Sequence, residues 1–291
     1  MRASLCLRTW PHRGAAIALS ILSAWAISLF LAFSTGAEAI GAWGCLCLIP
    51  WLAFLYTGLF VTGHDAMHGS IDPGHAWINR VLGEISLFFY GLIPYSKLYQ
   101  SHSYHHQFPA SHRDPDFHNG HDRHPVLWYF RFMRSYWTLR QSVGLCIIYN
   151  GLHRVIGVPE ANLLIFWAVP SLLSSVQLFY FGTYLVHREQ PDTYSTPLCA
   201  NSYYWPKALS LLSCYHFGYH REHHAFPKVP WWQLSQTRLD DIRLTDCPLR
   251  IDSQLMNAQL ADAKYRLASS GKALETISSP LVKRDRTRLK T

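Results

Sequence analysis

The sequence predicts an all-α integral membrane protein, with about four transmembrane helices and a cytoplasmic helical cap that holds a histidine-rich site. The first observation is hydropathy: 49% of the 291 residues are hydrophobic and the mean hydropathy is +0.00, but the apolar residues are concentrated in uncharged runs. The second is the length of those runs, about 20 residues, which lets a helix cross roughly 30 Å of hydrocarbon. The third is a set of 17 histidines, many of them closely spaced between the runs.

Three runs are long and uncharged. Residues 15–34 and 40–62 are joined by a short turn, so together they predict a transmembrane hairpin. Residues 162–186 form the third run. Pro170 and Gln177 are tolerable inside it, because neighbouring helices can satisfy the polar groups of a membrane bundle.

Two further segments are less regular. Residues 141–157 predict a fourth span, in which Asn150, His153 and Arg154 would have to lie at an interface because buried charge is costly in a bilayer. Residues 81–95 are shorter and are interrupted by a glycine and a proline. They fit an interfacial or re-entrant segment better than a span.

The distribution of Lys and Arg predicts the orientation. The turns at 35–39 and 158–161 contain one glutamate each and no basic residue, whereas the N-terminus, residues 63–140 and the C-terminal tail hold nearly all of the basic residues. Both termini and the histidine-rich loops are therefore predicted to face the cytoplasm, or the stroma of a plastid. A cleaved signal peptide is the alternative for the N-terminus, but its apolar run exceeds the usual 7–15 residues of a signal core.

These patterns divide the chain into a cytoplasmic N-terminus, a membrane domain and a basic, flexible tail that would contact anionic lipid. The predicted boundaries are 1–14, 15–240 and 241–291. The net charge of +8 follows from the cytoplasmic loops, so it does not indicate nucleic-acid binding. The seven cysteines include no C-x-x-C pair and are interpreted as small hydrophobic residues.

The histidines form three clusters with helical spacing. In "HDAMH" two histidines stand at i and i+4, and "HSYHH" and "HREHH" each place three at i, i+3 and i+4, so each cluster can point its imidazoles in one direction. The clustered residues are His64, His68, His102, His105, His106, His220, His223 and His224. Eight imidazoles are too many for one ion, because a tetrahedral zinc site uses four ligands. Two neighbouring ions would suit them, and Zn, Cu, Fe and Ni all accept imidazole.

The three boxes, in this order on a membrane chain, resemble those of the membrane fatty-acid desaturase and hydroxylase superfamily. The surrounding segments are similar to the bacterial and cyanobacterial type of β-carotene ketolase. They read "FLYTGLFVTGHDAMHG" (54–69), "HSYHHQFPASHRDPDFHNG" (102–120), "FGTYLVHRE" (181–189) and "CYHFGYHREHHAFPKVPWWQL" (214–234). The resemblance covers roughly residues 50–235. Ketolases built like flavin-dependent desaturases are excluded, because the sequence has no dinucleotide fingerprint.

The resemblance implies a site with two iron ions, dioxygen as co-substrate and electrons from a ferredoxin or a similar donor. It implies that carbon 4 of a β-ionone ring becomes a ketone by two hydroxylations and loss of water, which would convert β-carotene to echinenone and canthaxanthin. Conversion of zeaxanthin to astaxanthin is a further option that the sequence leaves open. The apolar substrate would reach the site from the bilayer. The implied metal ligands are the eight clustered histidines together with His187, which ends the third apolar run.

Other residues are expected around the metals. Asp65, Asp114, Asp116 and Glu222 stand beside the boxes and are predicted to accept hydrogen bonds from ligand imidazoles, with ordinary loop capping as the alternative for the aspartates. His216 lies one helical turn before the third box and could face the same site. Thr183 occupies the position where acyl desaturases carry an asparagine, so the equivalent contact is in doubt. No side chain is expected to act as a nucleophile.

Two classes of alternative remain open. A carotenoid hydroxylase or an acyl-lipid desaturase would share the three boxes. A non-catalytic metal transporter or a haem protein would also be rich in histidine, but it would place single histidines or acidic residues in the middle of its spans. The interiors of the three clear apolar runs contain no histidine and no acidic residue.

Overall fold

A computed structural model describes residues 12–118, 123–189 and 198–237. Every regular element in these ranges is a helix, which confirms the all-α prediction. The predicted C-terminal tail, 241–291, and most of the predicted N-terminal segment lie outside the described residues.

The first two helices form the predicted hairpin. Helix α1 is Arg13–Thr35 and α2 is Ala37–Met67. The chain reverses over Gly36 alone, whose φ of +79° is open to glycine without steric cost. Helix α2 continues five residues past the predicted apolar run and so carries His64 on its last turns.

The third long helix, α7, is Glu160–His187 and contains two π-helical stretches, Leu164–Ala168 and Leu178–Tyr184. In the described part of the chain, α1, α2 and α7 are the three helices long and apolar enough to cross a membrane. These are the three clear runs of the sequence, so that prediction is confirmed. The fourth span remains a prediction: α6 is Leu139–Asn150 and continues as the π-helical stretch Gly151–Val155.

Shorter helices connect the long ones. Helix α3 is Ala76–Gly91, and it ends where Leu92 adopts a left-handed conformation with φ of +54°. The segment expected to be interfacial or re-entrant therefore lies mostly in this helix. The remaining helices are α4 (Tyr95–Gln107), α5 (Pro125–Tyr136), α8 (Lys207–Cys214), α9 (His220–Ala225) and α10 (Trp231–Leu234).

Helix α2 is the centre of the bundle and packs against α1, α3 and α7. Its buried side chains include Leu52, Tyr56 and Leu59. At Gly63 the backbone approaches α3 so closely that a Cβ atom would lie 2.6 Å from the side chain of Leu87. This helix is therefore held tightly at the end that carries its histidines.

One polar contact fixes the direction of α7 relative to α2. The backbone N–H of Ala37, at the start of α2, donates to Oδ1 of Asn162 near the start of α7, at 3.0 Å. The two helices therefore begin side by side and run parallel. Their C-terminal ends bring His64 and His187 to the same end of the bundle.

Candidate metal centre

Nine buried or half-buried histidines converge at this end of the bundle. They come from the end of α2, from α4, from the end of α7 and from α9. Their ring nitrogens fall into two groups, within each of which the facing atoms lie within 4.8 Å of one another. One group is His64, His68, His102, His106 and His223; the other is His105, His187, His220 and His224.

Each three-histidine box contributes to both groups, and helix geometry explains how. Side chains at i and i+4 lie one above the other on a helix, while the residue at i+3 is displaced around the axis. On α4, His102 and His106 thus join the first group and His105 the second. On α9 the assignment is reversed, since His220 and His224 join the second group and His223 the first.

The spacing of the Nε2 atoms fits shared metal ions. Two imidazole nitrogens bound to one ion at about 2.1 Å lie about 3 Å apart when they subtend a right angle. In the first group, Nε2 of His102 lies 2.8 Å from that of His68 and 3.0 Å from that of His106. In the second, Nε2 of His224 lies 3.1 Å from those of His105 and His220.

The hydrogen-bond partner of Nδ1 fixes the tautomer of His187. Nδ1 of His187 lies 3.0 Å from the carbonyl oxygen of Cys199, which can only accept, so Nδ1 carries the proton. The Nε2 atom of His187 therefore presents a lone pair. It is buried and has no hydrogen-bond partner among the described residues, and the same holds for Nε2 of His64. Buried unpaired acceptors that face a histidine cluster fit a metal better than a dry core.

Two of the four predicted carboxylates bond directly to imidazoles. Asp65 accepts from Nδ1 of His64 at 3.0 Å, and its other oxygen accepts from the backbone N–H of Trp231 at 2.9 Å. Asp114 accepts from Nδ1 of His105 at 3.0 Å. These bonds keep a proton on Nδ1 of both rings and direct their Nε2 atoms towards the cluster.

The other two carboxylates have different surroundings. Asp116 accepts a short hydrogen bond from the hydroxyl of Tyr136, and one of its oxygens lies 3.8 Å from Nδ1 of His105. Glu222 is fully buried and accepts from the hydroxyls of Ser202 and Tyr204. The structure thus places Asp116 next to the cluster, while Glu222 anchors helix α9 to the preceding segment.

The two remaining predicted residues belong to neither group of facing ring nitrogens. Nδ1 of His216 is 3.0 Å from the hydroxyl of Ser210, and its ring packs beside Trp231. Thr183 is buried on α7, one turn before His187, and lines a cavity that also reaches the cluster.

Burial sets the charge of most of the imidazoles outside the spanning helices. Desolvation, followed by repulsion from neighbouring imidazoles, lowers the pKa of His102, His220 and His224 well below the usual value. These rings are neutral at pH 7, which is the form that binds metals. Burial also lowers the pKa of His105, but the carboxylates of Asp114 and Asp116 outweigh it and raise this pKa to about 9.

A cavity of about 450 Å³ runs from the cluster along α7. His64, His102, His105 and His220 line it at one end, and all four are buried. Most of the remaining wall is apolar and comes from α5, α6 and α7. A long apolar molecule could therefore lie beside α7 with one end against the histidines.

Comparison with known proteins identifies the family. The family model for fatty acid desaturases matches residues 41–155 and 143–246, which together form more than half of the chain. The chain belongs to the fatty acid desaturase family. The match contains all three histidine boxes and His187.

Several curated members of this group are similar over most of the chain. A β-carotene ketolase of Paracoccus sp. (strain PC1) is 40% identical over 225 residues, which cover 77% of this chain and 90% of the relative. A β-carotene ketolase of Haematococcus lacustris is 42% identical over 197 residues, covering 64% of this chain and 60% of the relative. A zeaxanthin 4-ketolase of Chlamydomonas reinhardtii is 37% identical over 238 residues, covering 77% of this chain and 53% of the relative. These relatives identify the chain as a ketolase of the desaturase family, an oxygenase-type oxidoreductase, and confirm the resemblance read from the sequence.

Two contributors to this desaturase-family site were not predicted. Cys199 orients His187 through its backbone carbonyl, which every residue type possesses, so its identity gives no signal. Tyr136 reaches Asp116 across 20 positions of sequence. Only the packing of α5 against the loop after α4 brings Tyr136 and Asp116 together.

Proposed function

We propose that this protein is a di-iron, dioxygen-dependent carotenoid ketolase that converts the ring methylene at carbon 4 of a β-ionone ring to a ketone. The observation that carries the proposal is the convergence of nine imidazoles at the buried end of a long apolar cavity. The names of the relatives supply the substrate class, since three of them are named for ketolation of β-carotene or zeaxanthin.

The nine histidines would hold two iron ions, with five ligands available to one and four to the other. Iron bound there would supply dioxygen activation and the removal of hydrogen from carbon, which no side chain can perform. The chain's own part is to hold the site. Asp65 and Asp114 fix the tautomers of His64 and His105 through Nδ1, and the carbonyl of Cys199 does the same for His187.

The reaction balances as two hydroxylations and one dehydration. Each hydroxylation replaces a C–H bond by C–OH and consumes one dioxygen, two electrons and two protons, with one water released. The resulting geminal diol loses water to leave the ketone. The apolar wall of the cavity would orient the ring and exclude bulk water, and the allylic position of carbon 4 weakens the C–H bond that is broken.

The proposal also includes how the helices are arranged in the membrane. Helix α6 with its π-helical extension, Leu139–Val155, would be the fourth span, because the chain must return from the histidine end to the opposite end before α7 begins. The exposed side chains of Leu139, Val143 and Ile147 support this, since they form a stripe at i, i+4 and i+8 that suits lipid. The histidine end would face the cytoplasm or stroma, where a reduced ferredoxin or similar donor would supply electrons and the basic loops would attract an acidic partner.

Product analysis tests the proposal. Expression in a bacterium that makes β-carotene should yield echinenone and canthaxanthin, and the same strain carrying His105→Ala should yield neither. Zeaxanthin as the sole new product would instead identify a hydroxylase, and new double bonds in membrane acyl chains would identify a desaturase. A Soret band in the purified protein would contradict a non-haem site. Iron should also be quantified in the purified wild type and in purified His105→Ala. We expect about two ions per chain in the wild type and fewer in the variant. This measurement separates loss of metal from loss of expression.

A further inference from the structure

A further set of potential metal ligands lies outside the histidine cluster, where the start of α1 meets the loop between α2 and α3. It consists of His12, Asp72 and His75, each of which offers a ligand atom within 4.8 Å of the others. Nδ1 of His12 lies 2.6 Å from Oδ2 of Asp72, and Nδ1 of His75 lies 3.0 Å from Oδ1. These three residues belong to neither of the two groups that would hold iron.

The surrounding chain holds the two ligands of this loop in place. Asp72 is 3% exposed, and the buried side chain of Asn79 lies beside it. Oδ1 of Asn79 accepts from the backbone N–H groups of Ile71 and Asp72, at 3.1 and 3.2 Å. Its Nδ2 donates to the backbone carbonyls of Asp72 and His75, at 2.6 and 3.0 Å. Asn79 therefore orients both ligand-bearing residues before any ion binds, as the outer partners of metal ligands do.

The start of α1 packs directly against this loop and brings the third ligand. At Gly14 a Cβ atom would lie 2.1 Å from the backbone carbonyl oxygen of Ile71, so a side chain there would force α1 away from the loop. The backbone of His12 has φ of +61°, a left-handed conformation that is unfavourable for a residue with a Cβ atom. In this conformation its ring centroid lies 5.3 Å from that of His75. Residues that are 60 positions apart in sequence thus meet at one carboxylate.

Two imidazoles and one carboxylate form a donor set that zinc accepts, with a fourth position left for water. Ligand atoms bound to one zinc ion at about 2.1 Å lie about 3.4 Å apart at the tetrahedral angle. The closer pair, His12 and Asp72, would therefore have to open by about 1 Å or less. The side chains of His12 and His75 are 59% and 46% exposed, so they have room to move and an ion can reach them. Each Nδ1 that now donates to Asp72 must pass its proton to Nε2, which an exposed neutral imidazole can do through water.

We propose that His12, Asp72 and His75 bind one divalent transition-metal ion of the zinc type, which clamps the start of α1 to the loop that follows α2. The three ligands come together only in the folded protein, so the ion stabilises the fold by mass action. The inference does not depend on the proposed ketolase function, because the clamp and the histidine cluster have no ligand in common.

Zinc titration of the purified, iron-loaded protein in detergent tests the inference. Zinc and iron are quantified per chain at each zinc concentration, after removal of the free ion. The wild type should gain one zinc ion per chain and keep its iron, and its Tm should rise with the zinc concentration. His12→Ala and His75→Ala should each weaken zinc binding at least about tenfold, because loss of a group that merely orients a ligand already costs roughly 10–100-fold. Both variants should keep the wild-type iron content, which shows that they are folded.

His124→Ala is the matched control. His124 is also an exposed histidine, but within the described part of the chain it belongs to none of the groups of potential ligands. This variant should bind zinc as the wild type does. Equal zinc affinity in the wild type, His12→Ala and His75→Ala would overturn the inference, since hydrogen bonds alone would then join the three side chains. Zinc uptake matched by an equal loss of iron would overturn it as well, because the zinc would have replaced iron in the cluster.

Discussion

At the scale of single residues, the spacing of the histidines predicts that they share a site but not how they divide between two groups. A helical box of the form H-x-x-H-H directs its i, i+4 pair one way and its i+3 member another. Which group receives the pair depends on how α4 and α9 are placed around α2 and α7. That placement is tertiary, so His105 and His223 take positions that the boxes do not reveal.

The carboxylates show a similar limit. Proximity in sequence to a box predicts that Asp65 and Asp114 accept from imidazoles, and each lies 3.0 Å from the Nδ1 atom of a ring in the cluster. It failed to distinguish them from Glu222, which stands between two histidines of α9 but accepts from Ser202 and Tyr204. On a short helix, a residue between two ligands points away from them, and sequence spacing shows this only once the helix is established.

Asp114→Asn tests the role of the carboxylate at His105. An amide can present N–H to Nδ1 and so favour the tautomer with the proton on Nε2, which blocks that nitrogen as a ligand. Loss of such an orienting partner typically weakens metal binding roughly 10–100-fold. Titration of the apoprotein with ferrous iron should measure a shift in this range.

Glu84→Gln is the control for that experiment. Glu84 is an exposed carboxylate on α3 that pairs with Arg80 and does not contact the histidines. It should leave the iron titration unchanged. Equal iron affinity in Asp114→Asn and wild type would mean that Asp114 serves the loop through Ala110 and Asp116 alone.

At the scale of elements, α7 combines one feature that the sequence predicts with another that it conceals. Its apolar run locates the helix to within two residues at the start and one at the end. Its two π-helical stretches are invisible to hydropathy, because each adds one residue to a turn without changing composition. Leu164, Ala168, Ser171 and Gly182 line the cavity over most of the length of the helix.

Gln177 is the polar residue of α7 that needs an explanation inside a membrane bundle. Its Nε2 donates to the carbonyl oxygens of Leu212 and Ser213, at 3.0 and 2.7 Å. Both carbonyls lie at the end of α8. The last carbonyls of a helix have no intrahelical partner, so this side chain satisfies them. Its Oε1 accepts from the hydroxyl of Thr57 on α2 at 2.7 Å, so one residue links three helices.

Gln177→Leu should therefore destabilise the bundle by about 1–3 kcal/mol, since it leaves the carbonyls of Leu212 and Ser213 without the donor that satisfies them. Thermal unfolding in detergent, followed by circular dichroism, measures the effect as a lower Tm. Ser213→Ala is the control, because the Ser213 hydroxyl donates only to the carbonyl of Ser210 in the same helix. If both variants unfold at the wild-type temperature, the contact between α7 and α8 contributes no stability.

At the scale of the whole molecule, the cavity connects the histidine end to the outer surface of the bundle. Its far end is lined by Cys146 on α6 and by Leu164 and Leu172 on α7. Leu164 and Leu172 are 48% and 59% exposed, and Cys146 is exposed as well. These residues lie on apolar helices, so the opening faces the region that lipid would occupy. An apolar substrate would enter sideways between α6 and α7, with one ring leading.

Cys146 allows this route to be tested with a native side chain. A membrane-permeant maleimide attached at the opening should obstruct it, so that treated wild-type protein loses most of its ketolase activity. Bound β-carotene should slow the labelling. Cys47 is the matched control, because it is also exposed on a membrane helix but does not line the cavity. We expect Cys47→Ala to remain sensitive to the reagent and Cys146→Ala to become resistant; equal sensitivity of the two variants would place the substrate route elsewhere.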